Sequence, residues 1–350
     1  MQDSTLKIAI IRLSSLGDII TSLVFVEFLR RSVGDSAKCD RKIEIAFVVD
    51  SAFRAIVEDS PLIDKIIDLP LRAAKKDRKL IFAIIKKVRN LGYFDMVIDA
   101  QGLIKTALVG KCMQKRQFIG FDKDSIREKV AAFFYDKKAQ IPYKEHILKR
   151  QYELFKVAFL PYCKMPEQFD LAMLDARHKI FGCSKKARDK IATLLTPFAK
   201  NRKILFVLET SKKHKNYPLE SFLNLALAIK SEINLAKIFL IWDKDRSAIA
   251  DFGKSDEIFC ILPHLDFDEI KALLGSMDLV VGGDTGITHC AWALKVPSVT
   301  IYISTNINRF KLEGERHFSH SLDFSCDSTQ PLDSIKFTDE LMTSIKKALR

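Results

Sequence analysis

Residues 7–23 read KIAIIRLSSLGDIITSL, and this segment indicates the fold class. The β-branched run Ile8–Ile11 predicts a buried strand, and the apolar spacing after the polar turn predicts a helix with one buried face. A strand that enters a helix through a Ser/Gly turn is the first half of a βαβ unit, and such turns bind ligands in α/β proteins. Asp18 lies where the turn becomes helix. It is either an N-cap, which position alone favours, or a carboxylate that does chemistry.

Length and composition are typical of a globular chain with two domains. The 350 residues are long for one core, and 48% are hydrophobic with a mean hydropathy of +0.02. No apolar run reaches the roughly 18–20 residues that span a bilayer, and the N-terminus lacks the basic start of a signal peptide. The seven cysteines show no CxxC spacing. We therefore expect a cytoplasmic protein with reduced thiols and without a structural zinc site.

The net charge of +13 indicates an anionic partner. Basic residues cluster at 72–79, 111–116, 137–138 and 212–215. Such an excess favours nucleic acid, an anionic membrane face or a phosphorylated substrate, and most of the clusters lie in the first half of the chain. The alternative is a set of solvated basic faces, which accounts for most charge runs taken singly.

Alternating strands and helices predict doubly wound parallel sheets with helices on both faces. A Pro-containing stretch at 160–169 separates two series, so we predict two Rossmann-like domains, at 1–160 and 170–335, that face a central cleft. A helix at about 338–350 could pack back on the first domain. The predicted strands are 8–11, 43–49, 66–69, 95–99, 118–121, 203–208, 236–241, a short one near 258, 278–281 and 298–302. The predicted helices are 52–58, 77–90, 145–159, 185–195 and 287–294, with others that start near 19, 103, 218 and 266.

Residues 280–289, VVGGDTGITH, place a glycine-rich turn between a buried strand and a helix. Glycines permit positive φ and close backbone approach, so backbone N–H groups can face a phosphate at the helix N-terminus. The spacing is neither GxGxxG nor that of a P-loop, which argues against a dinucleotide oxidoreductase and a P-loop nucleotidase. A plain βα turn is an equal alternative. Asp284 suits backbone N–H groups or sugar hydroxyls better than it suits phosphate.

A second anion site is predicted after the strand at 203–208. Thr210, Ser211 and Lys215 can neutralise a diphosphate at the end of that strand, whereas the neighbouring lysines are better explained as a solvated basic loop. Asp243 follows the next strand and could hold ribose hydroxyls, although a surface turn is favoured there. The histidines lack metal-ligand spacing, so no metal site is predicted.

Taken together, several segments resemble the ADP-heptose glycosyltransferases of glycosyltransferase family 9. The resemblance runs in order over roughly residues 7–305, and it is specific in combination although no single segment is. The segments are IRLSSLGD at 11–18, DAQGLIK at 99–105, GFDKDSIRE at 120–128, Thr210-Ser211 with Lys215-Asn-Tyr-Pro218, LPHL at 262–265 and GDTGITH at 283–289.

The family resemblance implies a GT-B fold with the acceptor on the first domain and the donor nucleotide-sugar on the second. It implies an inverting transfer of L-glycero-D-manno-heptose from ADP-heptose to the inner Kdo of a lipid A–Kdo precursor at the cytoplasmic face of the inner membrane. That anionic glycolipid accounts for the basic first domain better than nucleic acid does. We expect a peripheral, monomeric enzyme that has no nucleic-acid partner and needs no metal. Apart from its donor substrate, ADP-heptose, we expect no cofactor.

The resemblance also implies roles for individual residues. Asp18 matches the catalytic base, and Lys215 matches the group that stabilises departing ADP. The implied donor-binding residues are Thr210, Ser211, Lys215, Asp243, Leu265, Gly283, Asp284, Thr285, Gly286 and His289. The favoured acceptor-binding residues are Ser14, Gln101, Lys105 and Arg127.

Three departures from the family pattern lie in the second half. Ser211 replaces the usual Thr, Tyr217 replaces the usual Trp, and the segment after Trp242 lacks the usual ribose-binding glutamate, so that Asp243 or Asp245 could serve instead. Three alternatives stay open: the same fold adding the second heptose, a non-catalytic binding protein for an anionic glycolipid or nucleotide, and a nucleic-acid-binding protein.

Overall fold

Two parallel sheets form the framework of the chain. The computed structural model describes residues 5–34, 42–74, 76–174, 179–210, 212–242, 249–250, 256–322 and 334–350. The chain divides into one compact unit at Met1–Gly182 and a second at Cys183–Arg350. This boundary lies later than the predicted linker because the segment after residue 160 packs on the first unit, where the hydroxyl of Ser60 donates to the Ile180 carbonyl at 2.6 Å.

The first sheet has the strand order β3-β2-β1-β4-β5-β6, and its pairings are parallel. Its strands are β1 (Leu6–Ile11), β2 (Ile43–Asp50), β3 (Lys65–Leu69), β4 (Tyr93–Asp99), β5 (Gln114–Phe121) and β6 (Lys137–Ala139). In β1, Ile8 lies opposite Ile45 on one side and Met96 on the other. Ile8–Ile11 are fully buried, as expected of an inner strand of a parallel sheet. The opening segment of the sequence therefore forms the centre of the first sheet.

The helices of the first unit differ in how much apolar surface they bury. They are α1 (Leu16–Gly34), α2 (Arg54–Val57), α3 (Leu71–Ala74), α4 (Arg78–Arg89), α5 (Ile104–Cys112) and α6 (Ile147–Phe159). Helix α1 is buried on most sides, and its Phe25 stacks on Phe155 of α6 with ring centroids 6.1 Å apart. Helix α4 buries Ile84 and Val88 but leaves other apolar side chains exposed.

The second sheet repeats the architecture with the order β12-β11-β10-β7-β8-β9, again with parallel pairings. Its strands are β7 (Arg202–Val207), β8 (Ala236–Ile241), β9 (Phe259–Ile261), β10 (Leu279–Gly283), β11 (Ser298–Ile303) and β12 (His317–Leu322). Its helices are α7 (Lys185–Leu195), α8 (Leu219–Glu232), α9 (Phe267–Leu274), α10 (Gly286–Ala293), α11 (Ile307–Phe310) and α12 (Ser334–Ala348). These two sheets confirm the predicted class of two doubly wound α/β domains.

The final helix packs within the second unit. Phe337, Leu341 and Ile345 of α12 belong to the core that includes β7, β8, β10 and β11. Their four-residue spacing places them on one face of the helix. The sequence left open whether this helix packs on the first domain. In the structure it packs in the core of the second unit.

Two strands, β6 and β12, were not predicted from the sequence. Both lie at the edge of a sheet, and their sequences, Lys-Lys-Ala and His-Phe-Ser-His-Ser-Leu, lack the apolar run that marks an inner strand. Within the described residues, no helix is both long enough and apolar enough to span a bilayer.

Candidate functional site

Asp18 lies in the first turn of α1, just past the carboxyl end of β1. Its Oδ1 is 2.8 Å from Nη2 of Arg12, and the hydroxyl of Ser15 donates to its Oδ2 at 2.9 Å. The Ser15 N–H also donates to Oδ2, at 3.3 Å, which is the backward contact made by the acidic member of a capping box. The N-cap interpretation of Asp18 is therefore corrected, because the helix begins two residues earlier, at Leu16.

The surroundings of Asp18 keep its side chain ionised. Burial raises the pKa of this carboxyl, but the charge of Arg12 and the hydrogen bonds from Ser15 and Arg12 outweigh burial and hold the pKa below its usual value. The Asp18 side chain is nevertheless 27% exposed, while that of Arg12 is buried. The result is an oriented carboxylate that solvent or a substrate can reach.

Arg12 is a residue that the sequence-based candidates missed. Its guanidinium also donates to the carbonyl oxygen of Ala100, just past the end of β4, so it connects two neighbouring strand ends. Its Nε is buried and has no hydrogen-bond partner among the described residues. An arginine directly after an apolar strand was the available signal, because arginine is seldom buried unless it is paired.

Two of the acceptor candidates contact each other. Gln101 accepts a hydrogen bond from the Leu13 N–H at 2.9 Å and donates one to the Ser14 hydroxyl at 3.1 Å. Beneath them, the buried Asp99 accepts from the Gln101 N–H at 2.9 Å and from the Tyr135 hydroxyl at 2.7 Å. Burial raises the pKa of Asp99 more than these hydrogen bonds lower it. The turns after β1 and β4 are thus joined into one polar surface.

The other two acceptor candidates lie in different surroundings. Lys105 and Ser14 both line a cavity of about 640 Å³ in the first unit. Arg127 is exposed, lies 3.8 Å from Glu128 and is not among the described residues that line this cavity. The structure brings Ser14, Gln101 and Lys105 to one region of the first unit.

In the second unit, Asp284 lies between two nitrogen-bearing side chains. Its Oδ2 is 3.5 Å from Nζ of Lys215, in the loop after β7, and its Oδ1 is 3.1 Å from Nε2 of His289, in α10. Burial raises the pKa of Asp284, but the hydrogen bond and charge interaction with His289 and the charge of Lys215 outweigh burial and lower that pKa. Nδ1 of His289 is buried and unpaired among the described residues.

Gly282 and Gly283, directly before Asp284, allow neighbouring segments to pack closely. A Cβ on Gly283 would lie 2.6 Å from Cγ2 of Thr210, and a Cβ on Gly282 would lie 2.6 Å from Cβ of Val207. Of the two properties of glycine named above, close approach is the one used here, because Gly92 and Gly102 are the positive-φ glycines among the described residues. The missing side chains allow the end of β10 to approach the loop that carries Thr210.

The hydroxyls of Thr210, Thr285 and Thr288 already have partners within the second unit. Oγ1 of Thr210 lies 2.8 Å from the Lys212 carbonyl, and the Thr210 N–H donates to Oδ1 of Asn216 at 2.8 Å. Thr285 is the N-cap of α10 and forms a capping box with Thr288, whose N–H donates to the Thr285 hydroxyl at 3.3 Å. These contacts fix the two loops that carry Lys215 and Asp284.

The structure describes two of the four remaining donor candidates. Leu265 is buried directly before Asp266, the N-cap of α9. Gly286 is the first residue of α10. Ser211 and Asp243 lie outside the described residues. In the part of the chain that the structure describes, no group of three or more His, Cys, Asp or Glu side chains could hold a metal ion.

Comparison with known proteins gives consistent matches. The model of the family described as glycosyltransferase family 9 (heptosyltransferase) matches residues 81–335. The lipopolysaccharide heptosyltransferase 1 of Campylobacter coli is 33% identical over 358 residues, which cover 96% of this chain and 99% of that protein. Among solved structures, E. coli heptosyltransferase WaaC with ADP has a TM-score of 0.76 at 22% identity, covering 97% of this chain and all of that one. WaaC with ADP-2-deoxy-2-fluoro heptose has a TM-score of 0.73 at 23% identity, covering 96% and 100%. These structural matches confirm the predicted GT-B type of fold.

Proposed function

The chain belongs to glycosyltransferase family 9, the heptosyltransferases, and from that premise we propose that it adds the first heptose of the lipopolysaccharide inner core. In this proposal L-glycero-D-manno-heptose moves from ADP-heptose to the Kdo of a lipid A–Kdo precursor. The name of the Campylobacter coli relative supports the step, and the heptose analogue in the WaaC structure supports the donor. The observation that carries the mechanism is the ionised, accessible Asp18 at the end of an inner parallel strand.

Asp18 acts as the general base. It removes the proton of the acceptor hydroxyl while that oxygen attacks the anomeric carbon of heptose, and the bond from this carbon to the diphosphate breaks. Attack opposite the leaving group inverts the configuration. The hydroxyl loses its proton as the new bond forms and positive charge builds on the sugar ring, so a carboxylate with a lowered pKa suffices as the base.

The second unit binds the donor in this proposal. Lys215 is 3.5 Å from Asp284, a distance that leaves its ammonium able to turn to a diphosphate. Its charge-assisted hydrogen bonds strengthen as ADP departs, which lowers the barrier without a metal. The other proposed donor contacts are Thr210, Ser211, Gly283, Asp284, Thr285, Gly286 and His289 for the diphosphate and sugar, Asp243 for the ribose and Leu265 for the adenine.

The charge of +13 supports an anionic glycolipid as the acceptor. We place the enzyme at the cytoplasmic face of the inner membrane as a peripheral monomer without a nucleic-acid partner. Ser14, Gln101, Lys105 and Arg127 are the proposed acceptor contacts. Ser14 and Gln101 are favoured most, because their hydrogen bond ties the acceptor region to the turn that carries Asp18.

A transfer assay tests the proposal. The enzyme is given ADP-heptose and either Kdo-lipid A or the same acceptor that already carries one heptose, with and without EDTA. We expect transfer to Kdo-lipid A at a rate that the chelator does not change. Turnover on the heptosylated acceptor alone would instead assign the second heptose addition, and binding of ADP-heptose without any transfer would indicate a binding protein.

A further inference from the structure

The cavity of the first unit has two kinds of lining. Its volume of about 640 Å³ falls within the roughly 300–1,000 Å³ of small-molecule sites. Of the polar and charged lining residues, Ser14 and Asp50 lie at or just after the ends of β1 and β2, and Arg72 and Lys105 lie at the starts of the helices that follow β3 and β4. Because the carboxyl ends of parallel strands meet at one edge of a sheet, these residues define a polar end of the cavity.

The rest of the lining is mainly apolar and comes from facing stripes of two helices. Ile81, Ile84 and Val88 of α4 recur at helical spacing, opposite Leu108 and Val109 of α5. Ile84, Val88 and Val109 are buried, whereas Ile81 is 44% exposed and Leu108 is 48% exposed. Exposed apolar side chains that line a cavity mark its mouth and indicate an apolar ligand.

We propose that this cavity binds one hydrocarbon chain of the acceptor glycolipid. Ser14 connects the cavity with the region of Asp18, since it lines the cavity, contacts Gln101 and lies four residues before Asp18. A glycolipid whose sugar lies near Ser14 can extend a chain between α4 and α5, whereas a free sugar would leave both apolar stripes in water. The identity of the amphiphile rests on the proposed function, but the apolar character of the cavity does not.

The charges at the polar end fit an anionic head group. Arg72 and Lys105 are both exposed cations there. Asp50 accepts from the N–H groups of Arg72 and Ala52 at 3.1 Å each and lies 4.0 Å from Nε of Arg72, so the polar end keeps a net positive charge through Lys105. A phosphate or carboxylate beside these cations would hold the ligand so that its apolar part enters the cavity.

The test compares the acylated acceptor with its fully deacylated, water-soluble form. The double variant Ile81→Gln/Leu108→Gln changes two cavity residues that are already partly exposed, so the fold should tolerate it. Phe82→Gln is the matched control: Phe82 neighbours Ile81 on α4, is 74% exposed and is not among the described residues that line the cavity. We expect the double variant to raise KM for detergent-dispersed Kdo-lipid A at least tenfold, about 1.4 kcal/mol. KM for the deacylated acceptor should stay unchanged, and Phe82→Gln should change neither value. Equal effects of the double variant on both acceptors, or none on either, would overturn the proposal.

Binding of cis-parinaric acid, a fluorescent fatty acid, separates the cavity from the reaction. Without donor or acceptor, the wild-type enzyme should bind one molecule saturably, and the double variant should bind it at least tenfold more weakly than Phe82→Gln does. If parinaric acid binds in this way but neither acceptor is glycosylated, the proposed function fails and the hydrocarbon site stands. If transfer proceeds and the double variant binds parinaric acid as the wild type does, the hydrocarbon site fails and the function stands.

Discussion

The dipeptide Gly-Asp occurs near the carboxyl end of an inner strand in each unit, at residues 17–18 in the first turn of α1 after β1 and at 283–284 at the end of β10. Both strands lie inside a parallel sheet, and both aspartates have a lowered pKa. Their contacts differ. Asp18 contacts Arg12 through Oδ1 and Ser15 through Oδ2, and its side chain is 27% exposed. Asp284 lies between the nitrogen-bearing side chains of Lys215 and His289, and its side chain is 14% exposed. The same dipeptide thus presents an accessible carboxylate in one unit and an anchored one in the other.

This difference assigns separate chemical roles to the two aspartates. A carboxylate that keeps exposed surface can accept a proton from a substrate, which suits Asp18 as a base. A carboxylate that lies between the side chains of Lys215 and His289 and keeps little exposed surface is better suited to hold those side chains in place. In the proposed function, Asp284 therefore positions Lys215 and His289 for the donor.

Replacing each aspartate by asparagine should give the largest effects and should affect different quantities in the two variants. Asp18→Asn removes the base at constant size, so kcat should fall by about 10²-fold or more while the Kd for ADP changes less than about twofold. Asp284→Asn loosens Lys215 and His289, so its main effect should be weaker ADP binding. Steady-state rates and calorimetric titration with ADP measure the two quantities. The same pattern of kcat and Kd in both variants would contradict the division of roles.

Lys215→Met should have the next largest effect, on donor binding. A charged hydrogen bond contributes about 1.5–3 kcal/mol, so the Kd for ADP should rise about 10- to 100-fold. Lys213→Met is the matched control, because Lys213 is exposed in the same short turn, Lys213–Lys215, and should change Kd less than about threefold. Equal losses in the two variants would mean that the loop acts through its overall charge.

Much of the fold could be predicted because its signals are local. Helix Lys185–Leu195 and strand Ala236–Ile241 match the predicted bounds to the residue, since apolar periodicity marks both. The turns that carry Asp18, Lys215 and Asp284 were predicted for the same reason, because each follows an apolar strand.

The contacts within those turns depend on residues far apart in sequence and could not be predicted. Arg12 reaches a carbonyl 88 residues away, and Lys215 meets Asp284 across 69 residues. The packing of Gly283 against Thr210 could not be predicted, because this contact exists only once β10 and β7 are paired. Periodicity in the sequence identifies the strands, and the sheet order then determines which loops meet.

The packing role of Gly283 predicts a loss of stability on Gly283→Ala. The new Cβ would lie 2.6 Å from Thr210 Cγ2, so the loop must shift, at a cost of about 1–3 kcal/mol in the free energy of unfolding. Gly275→Ala is the control, since the nearest atoms to its Cβ are 3.7 Å away and its backbone is helical. A urea titration should show a change within about 0.5 kcal/mol for Gly275→Ala. Similar losses in the free energy of unfolding for both variants would show that the end of β10 does not need to approach Thr210 closely.

The smallest expected effect is a shift in the pH dependence of kcat/KM, which Arg12 influences through the pKa of Asp18. Arg12→Met removes the charge that outweighs burial, so the pKa of Asp18 should rise. Because the base must be deprotonated, the acid limb of the kcat/KM profile should then move to higher pH, with a rate within a few-fold of wild type at pH 8. Arg12→Lys keeps the charge and should leave the limb closer to its wild-type position. The limb position does not depend on the fraction of folded enzyme, so it separates electrostatics from stability. An acid limb that stays in place in Arg12→Met would show that the titrating base is a group other than Asp18.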